Sequence, residues 1–277
     1  MLKLNQTEYK LLLLDTNILC EVTSNRNYDY EKNLFEEFIS SDSNYIFCFS
    51  IYNVIELKRH ADLYEKFLEL FSILPCFILY PFKKLLEQEW IAYQNNTKVE
   101  VDNNIANAFS PLGKGDSFNL RSFLTKMFEA PTSQIVENEL LGLEDIASHW
   151  EGQRKQLSHS LKKTGYPRSM VNDDFYLFQE KSTIITMLKN AEIQVTDSIN
   201  HQKFPAARIM LYSQYHRLHS TKKPITKNDV MDIKIASIIP YMNAIMTEAF
   251  QADVCKKAKK VIPEMKALEI YTIKDIR

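Results

Sequence analysis

The stretch that most constrains the fold is KLLLLDTN at positions 10–17, a run of leucines that leads directly into Asp15. A short apolar run bounded by polar residues is typical of a strand buried on both faces of a parallel sheet. Asp15 would then lie at the carboxyl end of that strand, where open parallel sheets form their ligand crevice. The simpler interpretation is that Asp15 caps the next helix, since Asp is a preferred N-cap residue.

A second predicted strand and the helix after it place another acid in a comparable position. The segment YIFCF at 45–49 is rich in residues that favour strands. Ser50 follows it and is a good N-cap for an amphipathic helix that carries Glu56. A glutamate on such a helix is ordinarily a solvated surface residue, so Glu56 alone does not indicate a site.

A third predicted helix, near the end of the chain, contains two aspartates. Thr226 and Asp229 have the spacing of a capping box, which predicts that a helix begins there. Asp232 lies three residues beyond Asp229, so both side chains share one face of the first turns. The helix dipole stabilises carboxylates at this end of a helix, which explains both residues without a ligand.

The segment NAIMT at 243–247 predicts one more short buried strand, which ends at Glu248 in the same placement as Asp15. If the strands lie parallel and adjacent, four carboxylates meet at one end of the sheet. These candidate catalytic and metal-binding residues are Asp15, Glu56, Asp232 and Glu248.

A site built only from oxygen ligands suits Mg²⁺ or Mn²⁺ rather than Zn²⁺. Mg²⁺ usually keeps several waters and takes further ligands from substrate phosphates. Such a site can activate water for in-line cleavage of a phosphodiester. The sequence has no HExxH motif and no Ser–His–Asp order that would favour another hydrolytic chemistry.

The formal net charge of −1 gives the chain no overall attraction to nucleic acid, so binding would need a local patch. Arg208 and Arg217 lie among aromatic residues on a predicted helix at 205–218, and Lys256 and Lys257 belong to a basic run. We consider these four to be candidate substrate contacts. The ordinary alternatives are a partly buried amphipathic helix and a solvated charged face.

Several classes of protein are excluded by composition. The four cysteines include no CxxC pair, which favours reduced thiols in a cytoplasmic protein. No apolar run approaches the roughly 18 residues of a membrane span, and the leucine run is too short for a signal peptide. The five glycines lie between 113 and 165, and the segment 111–117, PLGKGDS, lacks the spacing of a phosphate-binding loop and predicts a turn.

Four stretches of the chain resemble the acidic motifs of PIN-domain nucleases: LLLLDTN, CFSIYNVIEL, NDVMDIKIAS and PYMNAIMTE. The last two resemble a PIN subgroup in which an Asn-Asp-x-x-Asp helix leads to Pro-Tyr-x-Asp and then Thr-Asp. The resemblance implies metal-binding roles for Asp15, Glu56 and Asp232, and extends them to Asp229 and Glu248.

The resemblance also implies a three-layer α/β/α fold with a central parallel sheet and activity as an endoribonuclease. Residues 1–94 and 220–277 would form the two parts of the PIN-like domain, with 95–219 as a helical insertion. Because the family includes toxins of toxin–antitoxin pairs, it implies RNA as substrate and a toxin or defence role. An inhibitory protein and a second copy of the chain are then candidate partners.

Two departures from the subgroup weaken the fourth corner of the predicted site. Asn243 stands where the subgroup has Asp, and Glu248 stands where Asp is usual. Asn offers an oxygen without charge, and Glu reaches further than Asp. The residues that would support the acids are Asn17, Ser50, Asn243 and Thr247.

Two other interpretations remain open. The chain could be a PIN-like fold that has lost catalysis and acts as a binding or scaffold protein, for which Asn243 is the main argument. Alternatively, Arg154 and His159 have an R-x4-H spacing similar to that of HEPN ribonucleases, which need no metal. The residue after the arginine is Lys155, where that family favours Asn, Asp or His.

Overall fold

The leucine run forms the central strand of a mostly parallel sheet. The computed structural model describes residues 2–4, 7–24, 32–33, 36, 38, 44–109, 119–129, 137, 140–164, 173–196, 198–220 and 223–276. The strands within these ranges are β1 (Leu2–Leu4), β2 (Thr7–Leu14), β3 (Tyr45–Ser50), β4 (Cys76–Leu79), β5 (Ala106–Phe109), β6 (Ala244–Met246) and β7 (Glu269–Tyr271).

The strands lie in the order β5-β4-β3-β2-β6-β7, with β1 paired to β2 as well. Neighbours from β4 to β7 are parallel, whereas β5 is antiparallel to β4 and β1 is antiparallel to β2. The chain therefore builds outward from β2 to β4 and later continues on the other side of β2 with β6 and β7. The strand order reverses between β2 and β6, and ligands bind outside the carboxyl ends of the strands at such a reversal.

Ten α-helices connect and cover these strands in the described residues. They are α1 (Thr16–Thr23), α2 (Ile51–Lys58), α3 (Ala61–Ile73), α4 (Phe82–Gln94), α5 (Leu120–Phe128), α6 (Leu143–Thr164), α7 (Asp173–Asn190), α8 (Pro205–Ser220), α9 (Lys227–Ala236) and α10 (Ala249–Ala258). None of them is long and apolar enough to cross a membrane.

Both faces of the sheet are covered. Leu11 to Leu14 of β2 are all fully buried, and successive strand residues point to opposite faces. Phe204, which directly precedes α8, and Tyr212, in the middle of α8, belong to the same apolar core as the strands. The predicted α/β class with a mostly parallel sheet is therefore confirmed, and the coverage of both faces is consistent with a three-layer arrangement.

The segment 95–219 is partly integrated into the sheet. Its residues 106–109 form β5, an edge strand in a stretch that the sequence indicated only as polar and Asn-rich. The core contacts of α8 likewise join this segment to the strands. The turn predicted at 111–117 lies outside the described residues.

Candidate active site

Asp15 joins the two strands at the point where the strand order reverses. It directly follows β2, and its backbone N–H donates to the carbonyl of Met246 in β6 at 3.1 Å. Its Oδ1 accepts from the N–H of Thr16 at 2.7 Å, and its Oδ2 accepts from the hydroxyl of Thr247 at 2.6 Å. Asp15 is therefore both the N-cap of α1, as the simpler interpretation predicted, and an acid at the sheet's carboxyl edge.

Glu56 is held beside Asp15 by a chain of hydrogen bonds. Ser50 and Asn53 form a capping box that opens α2. The amide of Asn53 also donates to the hydroxyl of Thr16 at 2.9 Å, and that hydroxyl donates to Oε2 of Glu56 at 2.5 Å. The residue after Asp15 thus orients the carboxylate of Glu56.

Glu248, which follows β6, and Asp232, on α9, are the other two of the four predicted acids. Glu248 follows Thr247 after β6, is exposed, and accepts from the amide of Asn17 at 3.4 Å. Asp232 lies on α9 and lines one pocket, the acidic pocket, together with Asp15 and Glu248. The pocket also contains Thr247.

Burial and mutual repulsion raise the pKa of three of these carboxyls. Burial is the largest cause for Asp15, and the charge of Glu248 adds to it. Burial raises the pKa of Glu56, which the charge of Asp15 raises further. The pKa of Asp232 lies well above its ordinary value because of burial and then the charges of Asp15, Glu56 and Glu248. The structure therefore brings the four predicted acids into one electrostatic unit.

In the described part of the chain, no three acidic, histidine or cysteine side chains are arranged to hold a metal ion as they stand. The hydrogen bonds explain this, because Thr16 and Thr247 direct the oxygens of Glu56 and Asp15 toward hydroxyl and amide donors. Like charges also repel, which favours separation when no cation lies between them. The donor chemistry still fits a hard cation, since every candidate ligand atom is oxygen.

Asp229 has another partner. Its Oδ2 accepts from the N–H and the hydroxyl of Thr226 at 2.7 and 2.9 Å, which closes the capping box of α9. Its Oδ1 is paired with the guanidinium of Arg217. The carboxylate of Asp229 therefore caps α9 and holds Arg217, and Asp229 lines the same pocket as Asp15, Asp232 and Glu248.

Asn243 lies away from the acids. Its Oδ1 accepts from the N–H of Leu11 at 2.9 Å, and its own N–H donates to the carbonyl of Leu11 at 2.9 Å. It therefore precedes β6 at the amino end of that strand, roughly 16 Å along an extended chain from Glu248. The interpretation of Asn243 as a corner of the site does not fit this placement, because its side chain fixes the pairing of β6 with β2.

The predicted substrate contacts divide into three groups. Arg208 is 2% exposed and bonded to Glu180, so it is a core residue and does not reach a substrate. Lys256 is exposed on α10, and Lys257 pairs with Asp253 at 2.7 Å. Arg217 is the one of the four that lines the acidic pocket.

Arg154 and His159, the R-x4-H pair, lie in different environments. Both the Nε and an Nη atom of Arg154 donate to Glu151 at 2.7 Å, and Glu151 also accepts from the N–H of Ile225. This arrangement anchors α6 to the segment before α9. His159 is exposed on α6.

Thr16, Asn53 and Ser213 are residues of the site that sequence reasoning missed. Asn53 had a usable signal, because it stands three residues after Ser50, as the partner in a capping box does. The sequence shows Thr16 next to Asp15 but gives no signal that its hydroxyl contacts Glu56. Ser213 lies on α8, and no local pattern connects that helix with the strands that carry the acids.

No protein-family model matches the chain, and no curated protein or solved structure is similar enough to count as a match. The functional argument therefore depends on the geometry and electrostatics of the site.

Proposed function

We propose that the chain is a cytoplasmic, metal-dependent endonuclease with a PIN-like fold that hydrolyses phosphodiester bonds in RNA. The observation that carries the proposal is the pocket that Asp15, Asp232 and Glu248 line at the reversal of the strand order, where the charge of Glu56 also raises the pKa of Asp232. Anionic groups brought together at a ligand-binding edge are stabilised when a cation lies between them. A purely structural arrangement would not be expected to collect four of them there.

Mg²⁺ or Mn²⁺ would be held by the carboxylates of Asp15, Glu56, Asp232 and Glu248. When bound, the ion would supply a Lewis acid that activates water and stabilises the leaving oxygen. The protein's own contribution is to orient two of the ligands, through Thr247 on Asp15 and Thr16 on Glu56. Such orienting hydrogen bonds are a general feature of metal sites.

The resemblance to PIN domains supports RNA as the substrate and a three-layer fold. It also supports a toxin or defence role, with an inhibitory protein or a second copy of the chain as partner. The placement of Asn243 at the amino end of β6 favours activity, because the missing charge there does not remove a ligand from the acidic edge.

The decisive experiment is cleavage of end-labelled single-stranded RNA and DNA with Mn²⁺. We expect wild type to cut RNA and the Asp15→Asn/Asp232→Asn variant to lose at least about 10³-fold in rate, since removing single charge-stabilising groups already costs about 10²–10³-fold in other enzymes. The matched control is Asp62→Asn/Asp253→Asn, which neutralises two exposed aspartates. Equal cutting by both double variants would refute the proposal.

A binding or scaffold role is the second candidate. It is favoured by the finding that the described acids do not form a ready ligand set. Calorimetric titration with Mn²⁺ separates the two: binding that is lost in Asp15→Asn/Asp232→Asn supports the nuclease. No heat of binding at millimolar Mn²⁺, with no cleavage, supports the scaffold.

A further inference from the structure

Two polar side chains of α8 line the acidic pocket. Ser213 and Arg217 are four residues apart, so they lie on the same face of the helix. Both line the pocket that contains Asp15, Asp232 and Glu248. The segment 95–219 therefore contributes directly to the site.

Ser213 is a buried hydroxyl whose hydrogen-bonding capacity is unused. The residue is 2% exposed, and its Oγ has no hydrogen-bond partner among the described residues. A buried hydroxyl without a partner costs free energy, so such a group in a pocket calls for a functional explanation. An acceptor atom of a ligand in the pocket would satisfy it.

Arg217 is held in a fixed orientation beside the acids. Its guanidinium is paired with Asp229, whose other oxygen is anchored by Thr226. It also lies over the ring of Phe250, with 5.1 Å from Cζ to the ring centre. A guanidinium has planar donors on several edges and matches the oxygens of a phosphate.

The charge of Arg217 reaches the acids themselves, because it acts on the carboxyl of Asp232. A phosphodiester that approaches this edge meets several carboxylates, which repel it. A cation and a hydroxyl donor in the lining of the same pocket would offset that repulsion and position the phosphate.

We propose that Ser213 and Arg217 form a phosphate subsite that binds the non-bridging oxygens of one phosphodiester of a nucleic-acid strand, with Asp229 as the residue that positions Arg217. This inference rests on the proposed function, because the strand is the substrate of the acidic edge. It assigns α8 a direct role in binding that substrate.

Binding is tested first, with a fluorescein-labelled single-stranded oligoribonucleotide in Ca²⁺ and a gel to verify that the probe stays intact. We expect Arg217→Gln/Asp229→Asn, which replaces the ion pair with two neutral amides, to bind about 10–100-fold more weakly. Ser213→Ala is expected to lose about 3–10-fold. The slope of log affinity against log salt should fall by about 0.7 in the Arg217 variant, as for one lost phosphate contact.

Lys203→Ala is the matched control, because Lys203 is an exposed cation just before α8 and roughly 20 Å along the helix from Arg217. Its salt slope should equal that of wild type. Arg217→Lys keeps the charge and tests the guanidinium geometry, and we expect it to raise KM for cleavage about tenfold with a smaller change in kcat. Thermal melts verify that each variant is folded.

The outcomes separate this inference from the proposed function. If wild type cuts RNA and the Arg217 and Ser213 variants keep its affinity and salt slope, the subsite is refuted and the nuclease stands. If wild type binds without cutting and the variants lose affinity, the subsite stands and the nuclease fails. If wild type neither binds the probe nor cuts RNA, both are overturned.

Discussion

Two clusters of polar side chains, one around the carboxylate of Glu180 and one around the four acids of the candidate active site, are built in opposite ways. In the first, Glu180 on α7 is 1% exposed. Its Oε1 accepts from Arg208 at 2.7 Å and from the hydroxyl of Tyr176 at 2.6 Å, and its Oε2 contacts His201 at 3.2 Å. The guanidinium of Arg208 also donates to the carbonyl of Val261 at 2.7 Å, so acid and base satisfy each other.

In the second cluster, at the carboxyl edge of the sheet, the acids are held mostly by neutral donors. Thr247 and Thr16 donate to Asp15 and Glu56. The pKa of both carboxyls is raised by burial and by neighbouring negative charge. The cluster near Glu180 has its counter-cation within the fold, whereas the acidic edge has an excess of negative charge. This difference indicates that the first cluster stabilises the fold and that the second is suited to an added cation.

The largest effect on stability is expected at the cluster around Glu180. Arg208→Met should lower the free energy of unfolding by about 3–5 kcal/mol, because it leaves Glu180 buried without its counter-charge. Urea denaturation measures this loss. Adding Glu180→Gln to the same chain should restore a large part of it. If Arg208→Met costs less than about 1 kcal/mol, the ion pair of Arg208 and Glu180 does not stabilise the fold.

Glu89 on α4 offers a second test, because it is a buried acid away from the acidic edge and has no counter-cation among the described residues. Its Oε1 accepts from Tyr241 at 2.5 Å and from the N–H of Ala206 at 2.6 Å. Its Oε2 is buried without a hydrogen-bond partner in the described residues, and burial raises its pKa to about 8.

The folded protein therefore binds more protons at Glu89 than the unfolded chain between pH of about 4.5 and 8. Stability should fall as pH rises through this window, by an amount on the order of a few kcal/mol. Glu89→Gln should flatten this part of the curve of unfolding free energy against pH. An unchanged pH dependence in the variant would show that Glu89 is not the group responsible.

A third prediction concerns the acidic edge of the sheet, where negative charge is in excess. Without metal at pH 8, Asp232→Asn should raise stability by about 1 kcal/mol, or about 2–4 °C, because it removes like-charge repulsion. Mn²⁺ should raise the melting temperature of wild type by linkage, and Asp232→Asn should reduce that shift.

The sign of the pH effect at this edge follows from the raised pKa values of Asp15, Glu56 and Asp232. The folded state holds extra protons there, so metal-free stability falls as pH rises above the ordinary carboxyl range. Protons compete with the metal, so the shift caused by Mn²⁺ should be larger at pH 8 than at pH 6. A shift that is equal at both pH values would argue against metal binding by these carboxyls.

The central strands could be predicted from sequence because their signals are local. Leu11 to Leu14 are continuously apolar, and the strands at 45–49 and 243–247 lie within one residue of those observed as β3 and β6. The edge strands β5 and β7 gave no such signal. Both are short and only partly buried, so tertiary pairing decides their conformation.

The acids could be predicted for a similar reason, since each follows a strand or lies on a helix with a recognisable start. Their hydrogen bonds could not be predicted, because they join residues far apart in the chain, such as Thr247 to Asp15 and Thr16 to Glu56. The pairing of Asp229 with Arg217 also connects two helices whose packing has no local signature.

The smallest expected effect is at Asn243. Asn243→Asp keeps an oxygen that can accept from the N–H of Leu11, so it should change stability by less than about 1 kcal/mol. It should also leave Mn²⁺-dependent cleavage within about twofold of wild type, because the added charge lies at the amino end of β6 and away from the acids. The measurement is the cleavage rate at saturating Mn²⁺ and RNA. A tenfold gain would mean that position 243 acts on the site after all, and that the acidic edge is less complete than its four carboxylates indicate.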